Sequence, residues 1–156
     1  MTSTDTTSTD TTAATNTGTG AGPAAGGPPA ATATWAGVML DCPDARQLAE
    51  FYGALTGWGV AGADEEGAWA YLTPPGTEIM IGFQRVEGYQ PPRWPDQDVP
   101  QQFHLDFRVA DLDASVALAE RLGATQAQFQ PGGDRWRVLL DPAGHPFCLC
   151  PPAAAQ

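Results

Sequence analysis

The spacing of apolar and polar residues predicts a strand and a helix in residues 102–123. In residues 103–109, Phe, Leu, Phe and Val alternate with polar side chains, which is typical of a half-buried strand. Asp111 follows directly and precedes residues 112–122, whose apolar positions recur at helical spacing up to Gly123. The segment therefore predicts a strand, a capping aspartate and an amphipathic helix.

An earlier segment repeats this pattern, with a strand at residues 36–42, Asp44 as the cap and a helix at residues 45–55. Three short extended segments follow each helix, which predicts the order β-α-β-β-β twice. They are residues 58–60, 68–73 and 78–84 in the first half and residues 125–129, 136–140 and 146–150 in the second. Residues 72–80 align with residues 140–148 without a gap. A unit of about 50 residues that occurs twice predicts two copies of one supersecondary unit.

The remaining segments are predicted to be irregular. Residues 85–101, called the crossover below, contain four prolines and connect the halves. Its aromatic residues, Tyr89 and Trp94, are expected either to cover a cleft as a lid or to pack on the second half, and packing is favoured. Residues 1–34 hold no aromatic, Leu, Ile or Val residue, so we expect a disordered tail before a folded domain at residues 35–152.

Composition and charge exclude several functions. The formal net charge of −11 disfavours nucleic acid and anionic membranes as partners. The chain has no lysine for a Schiff base, and its only serines are Ser3, Ser8 and Ser115, which argues against a serine hydrolase. No secretory signal or membrane-spanning run is present, so we expect a cytoplasmic protein with reduced cysteines.

Three segments resemble the vicinal oxygen chelate superfamily, in particular its glyoxalase-like domains and bleomycin-resistance-like proteins. They are LDCPDARQLAEFYGALTGW, HLDFRVADLDASVALAERLGA and DPAGHPFCLC. The resemblance implies an α+β fold of two βαβββ modules whose curved sheets form an open, barrel-like cleft. Module one is then residues 35–84 and module two residues 102–152, with the crossover between them. The superfamily includes metal-dependent lyases, isomerases and dioxygenases as well as metal-free antibiotic-binding proteins, and the resemblance implies a homodimer.

The family's metal site takes one residue from the first strand and one from the last strand of each module. Carried over by resemblance, these positions are Gly37 and Met80 in module one and His104 and Cys148 in module two. Only His104 matches the usual ligand, because a glycine, a thioether and a thiol do not suit a hard cation. His104 is therefore either a ligand in a soft-metal cluster with Cys148 and Met80, or a cleft histidine that bonds to Asp106, Arg108 or a ligand. The metal-free alternative is favoured, and no cofactor is expected.

Other candidate site residues come from equivalent positions of the two modules. Asp41 matches Arg108 and Met39 matches Asp106, so we expect an ion pair between Arg108 and Asp41 or Asp106. That pair would serve either the cleft or the interface between the modules.

Trp69 and Trp136 fall in corresponding third strands and are expected either to flank the cleft or to pack in the core. His145 is expected to stabilise a turn. Cys148 and Cys150 share one face of the last strand, where small buried thiols are favoured over reactive ones.

The function expected from these observations is binding of a small organic molecule in an aromatic cleft without a complete metal site. His104 and Asp106 are the candidates for orienting the ligand or for catalysis. The first alternative is a metal-dependent lyase, isomerase or dioxygenase that uses His104 and Cys148. The second is a protein that sequesters an antibiotic.

Overall fold

The structure is a computed structural model that describes residues 33–152. The predicted disordered tail lies outside the described residues except for Ala33 and Thr34. Within them the fold is α+β, as predicted. The elements are β1 (Gly37–Cys42), α1 (Ala45–Thr56), β2 (Val60–Ala63), β3 (Trp69–Leu72), β4 (Met80–Arg85), β5 (Leu105–Arg108), α2 (Leu112–Arg121), β6 (Thr125–Gln126), β7 (Arg137–Leu140) and β8 (Pro146–Cys150).

The two modules have the same sheet topology. The strand order is β1-β4-β3-β2 in module one and β5-β8-β7-β6 in module two. In each sheet the first strand runs parallel to the last, and the other pairs are antiparallel. The prediction of two copies of one unit is therefore confirmed.

Both helices begin at the predicted aspartates. The Asp44 side chain accepts a hydrogen bond from the Gln47 amide at 2.9 Å, and the Asp111 side chain accepts one from the Ala114 amide at 3.0 Å. Helix α1 ends at Gly57, which has a φ of 75°, a left-handed conformation that favours glycine. The caps place the start of each helix directly after the first strand of its module.

Aromatic side chains of α1 form the centre of the core. The Tyr52 ring stacks on Phe83 of β4 at 5.6 Å and meets the edge of Phe147 of β8 at 6.0 Å. Phe51 also contacts Phe147, at 5.9 Å. Helix α1 thus contacts the sheets of both modules and holds them together through apolar burial.

Strand β8 has its predicted bounds, and each of the other seven strands begins or ends one to three residues away from them. Strand β5 begins at Leu105, because the residue of β8 that would lie opposite His104 is Pro146, which has no backbone N–H. Strand β2 lies later than predicted, with an irregularity between Val60 and Gly62. Strand β6 has only two residues, because the Gln130 side chain takes over its pairing: it donates to the carbonyl oxygen of Val138 at 2.8 Å and accepts from the Val138 amide at 2.9 Å.

The predicted gapless alignment of residues 72–80 with residues 140–148 is wrong. Met39 pairs with Gly82, whereas Asp106 pairs with Cys148. Met39 and Asp106 both lie five residues before their capping aspartates, so Gly82 rather than Met80 is the counterpart of Cys148. The shift arises because the connection between the third and fourth strands is longer in module one.

Apart from Arg85, the last residue of β4, the crossover contains no helix or strand, as predicted. Tyr89 is half-buried against the main core, and Trp94 packs against a smaller cluster that includes Val138 and Cys148. Both rings therefore contact module two, the favoured alternative, Tyr89 through His145 and Trp94 through Phe129. No helix among residues 33–152 is long and apolar enough to cross a membrane.

Candidate functional site

Two adjoining cavities lie beside the crossover. The first has a volume of about 230 Å³ and the second about 370 Å³. Gln101, His104 and Pro146 line both cavities, so the two share a wall. The cavities together form the cleft that we consider as the functional site.

The first cavity is built from both modules and the crossover. Met39 and Asp41 of β1 line it, and so does Tyr89 of the crossover. Helix α1 contributes Tyr52, and the turn before β8 contributes His145. Tyr89 therefore has two roles, since it packs on the core and also forms part of the cavity wall.

A buried aspartate organises the polar side of the first cavity. The side chain of Asp141 is 0% exposed, and its Oδ1 accepts hydrogen bonds from the backbone amides of Ala143 and His145, both at 2.9 Å. Its Oδ2 accepts from the Tyr52 hydroxyl at 2.9 Å and lies 3.0 Å from His145 Nδ1. Each carboxylate oxygen therefore has two partners, as a buried charge requires.

His145 connects this aspartate to Tyr89. Its Nε2 lies 3.0 Å from the Tyr89 hydroxyl, on the opposite side of the ring from Asp141. Burial, together with the negative charge of Asp141, raises the pKa of Tyr89 well above its usual value, and it does the same for Tyr52. Both phenols therefore keep their protons at neutral pH.

The second cavity has aromatic and sulfur-containing walls. Trp94 of the crossover and Trp136 line it, as do Cys148 and Cys150. The Trp136 ring lies directly over Gly132, where any side chain would collide with it. The close approach of the Trp136 ring therefore requires a glycine at position 132, and the cysteines present their side chains to the cavity from one face of β8.

Three potential metal ligands converge on the second cavity. One ligand atom each of His104, Asp106 and Cys148 lies within 4.8 Å of the others, and His104 Nε2 is 3.5 Å from Asp106 Oδ1. Burial, followed by the neighbouring Asp106, raises the pKa of the Cys148 thiol to about 12. Without a bound cation the thiol is therefore protonated, and it behaves as a small buried side chain.

Module one does not complete a metal site of the family's kind. The positions equivalent to His104, Asp106 and Cys148 are Gly37, Met39 and Gly82, which offer no oxygen or nitrogen side-chain ligand. The Met39 sulfur also occupies the space that a Cβ at position 82 would need. The residues present therefore do not fit a hard divalent cation held between the two modules.

The cleft contains some of the predicted site residues and not others. Asp41 lines the first cavity, Asp106, Trp136 and Cys148 line the second, and His104 lines both. Met80, Trp69 and Arg108 lie outside both cavities. Trp69 is 42% exposed and stacks on Tyr71 instead.

The predicted ion pair of Arg108 does not form among residues 33–152. Strand pairing places Arg108 beside Cys150, where its side chain is exposed. Asp106 is instead close to His104, two residues earlier. Of the side chains expected to bond to His104, Asp106 is therefore the near one, at 3.5 Å, and the hydrogen bond itself stays a prediction.

Sequence reasoning missed the polar network around Asp141 and the role of Gln101. Asp141 begins a Pro-Gly turn and Tyr52 lies on the apolar face of α1, so the pattern showed a turn and a core residue but not their contact. The Oε1 atom of Gln101 is buried without a hydrogen-bond partner among the described residues. His145 does stabilise its turn, as expected, through Asp141.

Comparison with known proteins identifies one family whose sequence model matches this chain and several solved structures with a similar fold. Residues 37–150 match the sequence model of a family described as a glyoxalase-like domain. A possible glyoxalase from Bacillus cereus is similar in structure, with a TM-score of 0.55 and 15% identity over 76% of this chain and 99% of that one. A glyoxalase/bleomycin resistance protein/dioxygenase family enzyme from Burkholderia phytofirmans has a TM-score of 0.54 and 19% identity, covering 74% and 96% of the two chains.

A bleomycin resistance determinant encoded on the transposon Tn5 is also similar. Its TM-score is 0.50 and its identity 20%, over 78% of this chain and 100% of that one. No curated protein matches the sequence. At these identities the solved structures establish a shared fold, and the chemistry of each site has to be read from its own residues.

Proposed function

Because this chain belongs to the glyoxalase-like domain family of the vicinal oxygen chelate superfamily, whose shared fold carries many activities, we propose that it binds a small organic molecule in the cleft. The observation that supports this most is the pair of adjoining cavities with aromatic walls and a few hydrogen-bonding groups. Such a combination is typical of small-molecule sites, in which apolar walls supply burial and polar groups orient the ligand.

The polar groups of the shared wall suit a ligand that donates hydrogen bonds. Gln101 Oε1 is a buried acceptor without a partner among the described residues, and an unpaired buried acceptor costs about 1–3 kcal/mol. A ligand N–H or O–H group at this wall removes that cost. His104, which is 42% exposed, supplies a second polar contact beside it.

The charges at the cleft disfavour a ligand with a carboxylate or phosphate group. Asp41 lines the first cavity and Asp106 lines the second, and none of the residues that line either cavity is an arginine. A carboxylate or phosphate ligand would therefore meet acidic side chains without a guanidinium partner.

Tryptophan fluorescence tests this proposal. We expect neutral and cationic aromatic metabolites and antibiotics to change the emission of the protein, and aromatic carboxylates and phosphates to have less effect. The change should be reduced in Trp136→Phe, which removes one of the two indoles that line the cleft, and kept in Trp69→Phe, which removes one outside it. A flat response to the whole panel would contradict ligand binding. A response to antibiotics alone would favour the sequestering role.

A metal-dependent lyase, isomerase or dioxygenase is the second candidate, and the cluster of His104, Asp106 and Cys148 is the observation that favours it. Metal analysis of protein purified without chelators separates the two. We expect less than one equivalent of transition metal. One tightly bound equivalent that is lost in His104→Ala and kept in Cys150→Ala would instead establish a metal site in module two.

A further inference from the structure

A chain of hydrogen-bonding side chains connects the buried Asp141 to the wall of the first cavity. We infer that Tyr89, His145 and Asp141 form a proton relay, by which the first cavity accepts a proton from a hydroxyl group of its ligand. This inference rests on the proposed function, because it requires a ligand in that cavity. It adds the chemical class of the ligand, a small phenol or similarly acidic alcohol, and the residues that take its proton.

The hydrogen bonds around Asp141 determine where the proton of His145 lies. Three of the four partners of the carboxylate are donors by their chemistry: the amides of Ala143 and His145 and the hydroxyl of Tyr52. The fourth is His145 Nδ1, 3.0 Å from Oδ2, and it must donate, because the carboxylate has no proton to offer. The proton of the neutral imidazole is therefore assigned to Nδ1 from this network.

The other ring nitrogen is consequently an acceptor. The Tyr89 hydroxyl oxygen lies 3.0 Å from His145 Nε2. Because the pKa of Tyr89 is raised, the hydroxyl keeps its proton and donates it in a hydrogen bond to His145. The Tyr89 oxygen keeps its own lone pairs as acceptors, and Tyr89 lines the first cavity. A hydroxyl group of a ligand in the first cavity can therefore donate to Tyr89.

Proton transfer along this chain balances without another reagent. The ligand O–H bond breaks and its proton bonds to the Tyr89 oxygen, while the Tyr89 proton moves to His145 Nε2. The ligand becomes an oxyanion, Tyr89 remains a neutral phenol and His145 becomes an imidazolium beside Asp141. The total charge of the group is unchanged, and Asp141 stabilises the imidazolium as a positioning residue.

The geometry also limits the size and type of the ligand. The first cavity, at about 230 Å³, is smaller than the roughly 300–1,000 Å³ typical of sites for drug-sized ligands. Its walls combine the apolar side chains of Met39 and Leu40 with the ring of Tyr89. A molecule with one aromatic ring and a hydroxyl group fits these walls, and the hydroxyl group then faces Tyr89.

The obvious alternative is that the network only attaches the crossover to the turn before β8. That structural role predicts that the Tyr89 hydroxyl affects stability but not the ionisation of a bound ligand. Tyr89→Phe separates the two roles, because it keeps the packed ring and removes only the hydroxyl group. Tyr71→Phe is the matched control, since Tyr71 is a half-buried phenol that lines neither cavity.

The experiment uses 4-nitrophenol, whose anion has its own absorbance band, and 4-nitroanisole, which has the same ring without the hydroxyl group. Binding is measured by tryptophan fluorescence and ionisation by absorbance across pH. We expect bound 4-nitrophenol to ionise at lower pH than free 4-nitrophenol, by about tenfold in proton affinity, one pKa unit. The shift should vanish in Tyr89→Phe and persist in Tyr71→Phe, while both variants still bind 4-nitroanisole.

Nitrogen-15 spectra of the side chain of His145 provide a second measurement. The free protein should carry a proton on Nδ1 alone, and addition of 4-nitrophenol should add one on Nε2. If 4-nitrophenol binds without a change in ionisation, or ionises equally in Tyr89→Phe, the relay is wrong and ligand binding still stands. If 4-nitrophenol does not bind while other aromatic molecules do, the assignment to phenols is wrong. If no molecule of the panel binds, the proposed function fails as well.

Discussion

Tyr52 shows how one side chain serves the core and the cleft together. Its ring stacks on Phe83, and its hydroxyl donates to the buried Asp141, 89 residues further along the chain. Without that donor, one oxygen of a carboxylate with no exposure to water would lose a partner. The hydroxyl of Tyr52 therefore contributes to stability through the charge that it satisfies, beyond the apolar area of its ring.

We expect Tyr52→Phe to lower the free energy of unfolding by about 1–3 kcal/mol, because it leaves a buried acceptor of Asp141 short of a donor. Urea denaturation at neutral pH measures this change. Tyr71→Phe should alter stability by less than about 0.5 kcal/mol, because Tyr71 is only half-buried. Equal losses in the two variants would show that the Tyr52 hydroxyl has no special role.

At the scale of elements, one glycine in the turn before β8 allows the crossover to pack against that turn. Gly144 has a φ of 90°, and a Cβ at this position would lie 2.6 Å from Cβ of Pro91. The crossover can therefore approach the turn closely, which brings Tyr89 to His145. The equivalent turn of module one contains Gly76, with a φ of 77°, and nothing lies within 4 Å of a Cβ there.

The two glycines provide a matched prediction. Gly76→Ala should cost about 1–2 kcal/mol, the cost of a side chain in a left-handed conformation. Gly144→Ala should cost more, because the same strain is joined by a collision with the crossover. Urea denaturation gives both costs, and the His145 nitrogen signals report whether Tyr89 stays in contact. The crossover would not depend on this contact if both substitutions had the same cost and left the His145 signals unchanged.

The sequence predicted local features well, because neighbouring residues decide them. The capping aspartates, Asp44 and Asp111, were both visible from spacing. The counterpart of Cys148 was not, because a longer connecting turn moves Gly82 into the place expected for Met80. A register of this kind depends on strand pairing, which single-sequence patterns do not contain.

The candidate site was only partly predictable for a related reason. His104 and Asp106 are two residues apart in the chain, and their proximity followed from the strand. Tyr89 and His145 are separated by 56 positions, and no local pattern connects a crossover tyrosine with a turn histidine. Of the two tryptophans expected either to flank the cleft or to pack in the core, Trp136 lines the second cavity, whereas Trp69 is exposed and lines neither cavity.

At the scale of the whole molecule, buried thiols and phenols determine how stability changes in alkaline solution. Burial raises the pKa of Cys42 from 9.0 to about 11 and that of Cys148 to about 12, and it also raises the pKa of Tyr52. The unfolded chain therefore loses these protons at lower pH than the folded chain does. Stability is fully present below about pH 9 and decreases as the pH rises through the folded-state pKa values.

We therefore expect the free energy of unfolding to be level near neutral pH and to fall above about pH 9. The slope should approach about 1.4 kcal/mol per pH unit for each thiol that titrates only in the unfolded state. Urea denaturation under reducing conditions measures the profile. Cys42→Ala should be less stable at neutral pH but have a shallower alkaline slope. An unchanged slope would show that Cys42 ionises alike in the folded and unfolded states.

The methionine that covers Gly82 has a consequence for the order in which substitutions can accumulate. A carboxylate residue at position 82 gains nothing until Met39 moves from the face of the sheet, because the sulfur lies where the new side chain would begin. A histidine at position 37 collides with the backbone of Met80, which cannot rotate away as a side chain can. A donor side chain at position 37 or 82 therefore requires a second adjustment in module one, of the Met80 backbone or of the Met39 side chain. In module two the donor side chains of His104, Asp106 and Cys148 are already close together, so a change of metal affinity needs fewer steps there.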